Sequence, residues 1–191
     1  VNLQEHLVNR KPAILKRWFN RILATYPADT SRFLQKEKDP FANPVGNTIS
    51  DGISGLYEDL LSGPPSGEVA PFLDQIIRIR AIQDFSASEA VGFIFFLKQA
   101  IREELGREVA EESIGRELLN LESRIDELAL LAFDIYMKCR EKIYEIKSNE
   151  IRNRTIKLLE RSTYVEGIPE DAGDSERDND NGSTLGRGVN R

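Results

Sequence analysis

An all-α domain of five or six helices is the fold class that this 191-residue chain predicts. Three observations predict it. Apolar residues recur at spacings of three and four in one segment after another. No segment shows the period-two alternation of a strand with turn signals at both ends. Capping and breaking residues fall at the edges of the helical segments. The helical domain is expected over 1–161, as a bundle or globin-like arrangement with a long last helix. A disordered acidic tail is expected over 162–191.

The first helical stretch begins within Val1–Leu7 and runs to Tyr26, with a break expected near Pro12. Ile14, Leu15, Trp18, Phe19, Ile22 and Leu23 form its apolar stripe. Pro27 stops it, and Asp29 or Thr30 is placed to cap a short second helix through Phe33 and Leu34. "KDPFANPVGN" reads as a structured turn. Ile49, Ile53, Leu56, Tyr57, Leu60 and Leu61 mark the next amphipathic helix, in which Gly52 and Gly55 suggest close packing of neighbouring backbone. "SGPPSG" then breaks the chain before a helix from about Glu68 to Asp84. Ser86 to Glu89 forms an S-x-x-E capping box for a helix from Ala87 to Leu105, apolar on nearly all sides between Val91 and Leu97. Gly106 ends that helix. The last one starts at Val109 or Ser113 and reaches Arg161, either unbroken or interrupted near Ser148–Asn149. Leu121, Ile125, Leu128, Ala132, Ile135 and Cys139 keep a 4-3-4-3-4 spacing along it, a heptad seam suited to a dimer or a partner helix.

Composition narrows the function classes. The net charge is −6, and 162–191 holds seven acidic residues against three arginines, so the tail carries −4 of it. Nothing resembles the basic footprint of nucleic-acid binding. One cysteine, Cys139, excludes an internal disulfide and a multi-cysteine metal site and fits a reducing cytoplasm. The longest apolar run falls far short of the roughly 20 residues that span a bilayer, and the N-terminal residues do not read as a signal peptide. The single histidine, His6, lies in the first turns, away from where a proximal haem ligand belongs. No phosphate-binding glycine loop, nucleophile elbow or di-iron E-x-x-H motif occurs. The expectation is therefore a non-enzymatic chain without cofactor or metal.

One feature of the helices is out of place. Phe72, Leu73, Ile76, Ile77 and Ile79 share an apolar arc, and Arg80, Gln83 and Asp84 fall within it. Arg80 and Asp84 stand at i and i+4, close enough to pair. Burying an ion costs several kcal/mol unless further hydrogen bonds satisfy it. Three roles would explain such a group: fixing the register between helices, lining a pocket for a polar ligand, or holding a neighbouring loop. "DPFANP", with Asp39 and Asn43, is the loop to be held, and Gln83 would join the same network.

"ILKRWFNRILATYPADTSRFLQKEKDPFANPVGNTI" and "IIRIRAIQDFSASEAVGFIFFLKQAIREEL", with the helix after them, resemble the N-terminal domain of RsbRD, a bacterial co-antagonist of the RsbT kinase. The W-F, R-F-L, D-x-F-x-N-P-V-G and R-I-R-A-x-Q-D-F elements carry the resemblance, which spans about Leu3 to Leu159. It implies a sensory module of the stressosome, with a haem-free globin-like fold that dimerises and takes part in the stress response. In that family a phosphorylated STAS domain follows, whereas about 30 polar residues follow here. Phosphorylation and kinase antagonism therefore do not carry over.

The reading is a cytoplasmic, homodimeric regulatory domain that signals through protein contact, by a change in packing around Arg80 and Asp84. The alternative is an accessory or assembly factor for a respiratory electron-transfer complex, for example in sulfate reduction. The +4 charge between Lys138 and Arg161 would be its docking surface.

Overall fold

The computed structural model describes residues 2–62 and 69–166. Seven helices occur among them: α1 Leu3–Leu23, α2 Ala28–Lys36, α3 Pro44–Ser62, α4 Val69–Ile82, α5 Ala87–Gly92, α6 Phe95–Leu105 and α7 Glu112–Glu166. A 3-10 turn over Gly106–Ala110 links α6 to α7. Taking α5 and α6 as one helix bent at Phe93–Ile94 gives six. No strand occurs among the described residues. No helix among them is long and apolar enough to cross a membrane. The "SGPPSG" break beyond Ser62 and the expected acidic tail beyond Glu166 lie outside the described residues.

The chain divides into two compact units, Val1–Lys147 and Ser148–Arg191. Within the first, one core gathers Ile14, Trp18 and Ile22 of α1, Ile49, Ile53 and Leu56 of α3, Leu73, Ile76 and Ile77 of α4, Leu97 and Ile101 of α6, and Ile125 and Ala132 of α7. The 3.6-residue period puts these groups on one face of each helix, where their removal from water stabilises the fold by about 25 cal/mol per Å² of apolar surface. The described part of the second unit is the remainder of α7. Its side chains from Ser148 to Arg161 are exposed throughout, Ile151, Leu158 and Leu159 among them.

Several boundaries differ from expectation, each for a local reason. α1 is unbroken at Pro12. Pro12 and Val8 are both exposed, so the Val8 carbonyl left without its helical donor faces the water side. α3 starts five residues earlier than its apolar stripe, at Pro44, because Asn43 caps it. The Asn43 Oδ1 accepts from Gly46 N at 2.8 Å, and proline suits the first helical position. No side chain caps α2, whose N-cap is Pro27. The Ser86–Glu89 capping box is present at the start of α5. α7 runs through Ser148 and Asn149 without interruption and past Arg161 to Glu166.

The largest correction concerns α4. It ends at Ile82, and the chain reverses at Asp84, whose φ of 59° lies in the left-handed region that aspartate tolerates. Phe85 N donates back to Arg80 O at 3.2 Å, the 6→1 bond of a Schellman ending. Gln83 and Asp84 therefore leave the helical arc on which the sequence pattern placed them.

Candidate functional site

Arg80 is the only charged residue of the described core, at 0% exposure. From the last turn of α4 it lies among the α4–α5 turn, the α1–α2 connection and α5. Its Nη2 donates to Thr25 Oγ1 at 3.1 Å and to the Glu89 carbonyl at 3.0 Å. Thr25 can accept because its own hydroxyl proton goes to Ile22 O at 2.7 Å. Three rings surround the guanidinium, with Cζ lying 4.1 Å from the Phe85 centroid, 5.5 Å from Tyr26 and 5.8 Å from Phe93. Aromatic faces offer negative charge to the cation but leave its N–H edges unanswered. Nε and Nη1 accordingly have no acceptor. Burial pulls the Arg80 pKa down from its ordinary value, and the neighbouring Tyr26 oxygen opposes that pull. An arginine keeps its proton even so, and Arg80 is therefore a buried cation without a bonded carboxylate.

Asp84 is not its partner. The Asp84 carboxylate is 78% exposed and pairs with Arg140 of α7 at 3.0 Å. The physical reason is the helix ending: an i,i+4 pair needs both residues on the helix, and Asp84 lies beyond it. Gln83 is exposed as well, but its Oε1 accepts from the Tyr26 hydroxyl at 3.1 Å, which leaves it at the edge of the Arg80 cage. Burial raises the Tyr26 pKa against the lowering influence of Arg80, so the phenol stays protonated and donates.

Asp39 and Asn43 form a separate cluster that Arg80 does not reach. Asn43 is buried, and its Nδ2 donates to the carbonyls of Leu34 and Glu37, both at 2.9 Å. Asp39 is exposed and accepts from Phe41 N at 3.0 Å. The D-x-F-x-N-P-V-G element is thus a self-contained turn that joins α2 to α3. A Cβ on Gly46 would run into the Asn43 amide, which accounts for the glycine.

The heptad seam is used within the chain. Leu121, Ile125, Leu128 and Ala132 are buried in the core, while Ile135 and Cys139 are half-buried against it. A second apolar stripe, on another face of α7, is the exposed one: Leu130 at 71%, Phe133, Met137 and Tyr144. The position between Met137 and Tyr144 in its 3-4-3-4 spacing is Arg140, whose Cζ lies 5.1 Å from the Tyr144 ring.

Tyr136 and Arg140 are two of the site residues that sequence reasoning missed. Tyr136 donates to Phe85 O at 2.7 Å, and Arg140 donates to Ala81 O at 3.3 Å besides Asp84. The turn that roofs Arg80 is therefore fastened to α7 at two successive helical turns. Thr25, Phe85 and Glu89 were missed for the same reason, since nothing in their sequence neighbourhood marks them as partners of residue 80.

Comparisons with known proteins give the chain a family. The model of the RsbT co-antagonist protein rsbRD N-terminal domain matches residues 12–151, which takes in the cage, the turn and α7 as far as Ile151. The chain belongs to this family. An uncharacterized protein of Archaeoglobus fulgidus is 25% identical over 142 residues, 72% of this chain and 82% of the relative. No solved structure matches. In this RsbRD N-terminal domain the polar elements that the sequence singled out serve two different ends: Asn43 builds a joint, and Arg80 centres a cage.

Proposed function

We propose that this RsbRD N-terminal domain is a cytoplasmic signal-input module that works by protein contact and not by catalysis. Its partner in the first instance is a second copy, bound through Leu130, Phe133, Met137 and Tyr144. The haem-free globin-like arrangement and the stressosome setting that the resemblance implies belong to the same proposal. Membership in the family of RsbT co-antagonist N-terminal domains supports a regulatory role. No observation favours the respiratory alternative.

One observation carries the mechanism. Arg140 belongs both to the clamp on the turn and to the exposed stripe, since it bonds Asp84 and, through Nη2, the Tyr144 hydroxyl at 3.1 Å. Any repacking around Arg80 moves the 81–85 turn, and moving the turn pulls on Arg140. Freed of Asp84, Arg140 would reorient over Tyr144 and alter the stripe. The signal thus reaches the surface through two bonds and one shared side chain.

Sedimentation equilibrium tests this. The unmodified chain should sediment at twice 21.7 kDa, and Met137→Glu should return it to the monomer by burying a charge at the contact. Arg140→Gln should weaken the dimer about tenfold, in line with the loss of a charge-assisted contact. A monomer at all concentrations, or a dimer untouched by Met137→Glu, refutes the proposal.

A further inference from the structure

The walls of the Arg80 cage open outward. Thr25, Tyr26, Gln83, Phe85 and Glu89, with Asp84 at the rim, line a cleft of about 370 Å³. That is room for a small organic molecule. Four of these residues also form the inner shell around Arg80 or its latch: Thr25 and Glu89 bond the guanidinium, Phe85 stacks on it, and Tyr26 faces it while holding Gln83. The Tyr26–Gln83 bond, at 3.1 Å between a buried phenol and an exposed amide, joins two residues of the cleft lining, one of which also faces the cation. Within the cage, Nε and Nη1 of Arg80 have no hydrogen-bond partner.

We infer that this cleft takes a small monocarboxylate with an apolar or aromatic body, whose carboxylate displaces Gln83 from Tyr26 and becomes the counterion of Arg80. Three features select that chemistry. An anion suits the site because the buried positive charge has no carboxylate bonded to it, only the through-space influence of Glu89. A single negative charge fits better than two, because Asp84 and Glu89 stand at the rim. Ser86 hydrogen bonds hold the Glu89 carboxyl below its usual range, which keeps it ionised and repels a dianion such as phosphate. An apolar body suits the faces of Tyr26 and Phe85, which meet edge to face with centroids 5.2 Å apart. The incoming carboxylate would accept from the Tyr26 hydroxyl and from Arg80, and Gln83 is free to turn to water because it is already exposed.

This names the ligand class of the site invoked above, and it rests on the preceding reading only for what happens at α7. Benzoate is the probe, with benzamide as its uncharged isostere and phosphate as the dianion. Trp18, the chain's only tryptophan, reports on the cage: its ring stacks on Phe93, which faces Arg80. Titrating the full chain with benzoate should give a saturable change in Trp18 fluorescence, matched by calorimetry. Benzamide and phosphate should bind at least about tenfold more weakly, as expected when a charge-assisted bond is lost or a like charge is met.

Gln83→Glu is the decisive variant, because an exposed position tolerates it and a resident carboxylate at the mouth should weaken benzoate about tenfold or more. Arg80→Met, checked for its helical circular dichroism, should abolish binding. No saturable benzoate signal at millimolar concentration, benzamide binding as tightly, or Gln83→Glu binding undiminished would each overturn the inference. Benzoate binding with an unchanged sedimentation profile would uphold this site and count against the relay to α7. The Met137→Glu and Arg140→Gln effects without benzoate binding would do the reverse.

Discussion

Two polar residues in the core have opposite satisfaction, and the contrast explains their roles. Asn43 meets three backbone partners at 2.8–2.9 Å and is complete. A completed network is a joint, and breaking it leaves buried carbonyls with no donor. Asn43→Ala should therefore cost about 2 kcal/mol or more, read as a lower urea midpoint with unchanged slope. Arg80 has two of its three nitrogens without a hydrogen-bond partner and is incomplete. Its presence in the sequence was legible, because an arginine among Ile76, Ile77 and Ile79 is anomalous. Its partners were not, since Thr25 lies 55 residues away and the Glu89 contact is a backbone carbonyl.

At the scale of elements, the period of apolar residues located every helix, but not where each stops. α4 illustrates why. Periodicity continues formally through Asp84, yet a left-handed residue stabilised by one backbone bond ends the helix first and redirects two polar side chains. The α3–α4 contact was better marked. Gly52 and Gly55 signal close approach, and a Cβ on Gly52 would come within 2.7 Å of Ile76 Cδ1. Ile76 is fully buried, so its Cδ1 would have to shift within a packed core. Gly52→Ala should thus lose about 1–2 kcal/mol of stability, although alanine favours a helix by about 1 kcal/mol. Thermal unfolding of the purified variant checks it, and a raised midpoint would show that Ile76 can yield. For α7 the heptad was real, but a heptad states only that one face is covered. It does not say by what.

For the whole molecule, the core binds helices far apart in sequence through a few buried polar anchors. Tyr57 is one: its hydroxyl donates to Leu7 O at 3.0 Å, joining α3 to α1. Burial pushes the Tyr57 phenol far above its ordinary range. Its folded pKa exceeds the unfolded value near 10, so the stability linked to it is complete below about pH 10 and is lost as pH rises toward the folded value. Alkaline unfolding, followed by far-ultraviolet circular dichroism, should begin above about pH 10. It should be less steep in Tyr57→Phe, which loses the ionisable group together with the hydrogen bond.

By itself the sequence determined the helical class, the core-facing stripes, the capping box and one polar residue that did not belong in its stripe. These follow from interactions within a few residues, which spacing and residue type encode directly. Only the tertiary structure decided that Arg80 faces three rings and no carboxylate, that Asp84 answers to Arg140, and that the seam of α7 is spent inside the fold while another face is left open. Those outcomes depend on which distant segments arrive at the same place. A local pattern is compatible with many such meetings, and packing selects one.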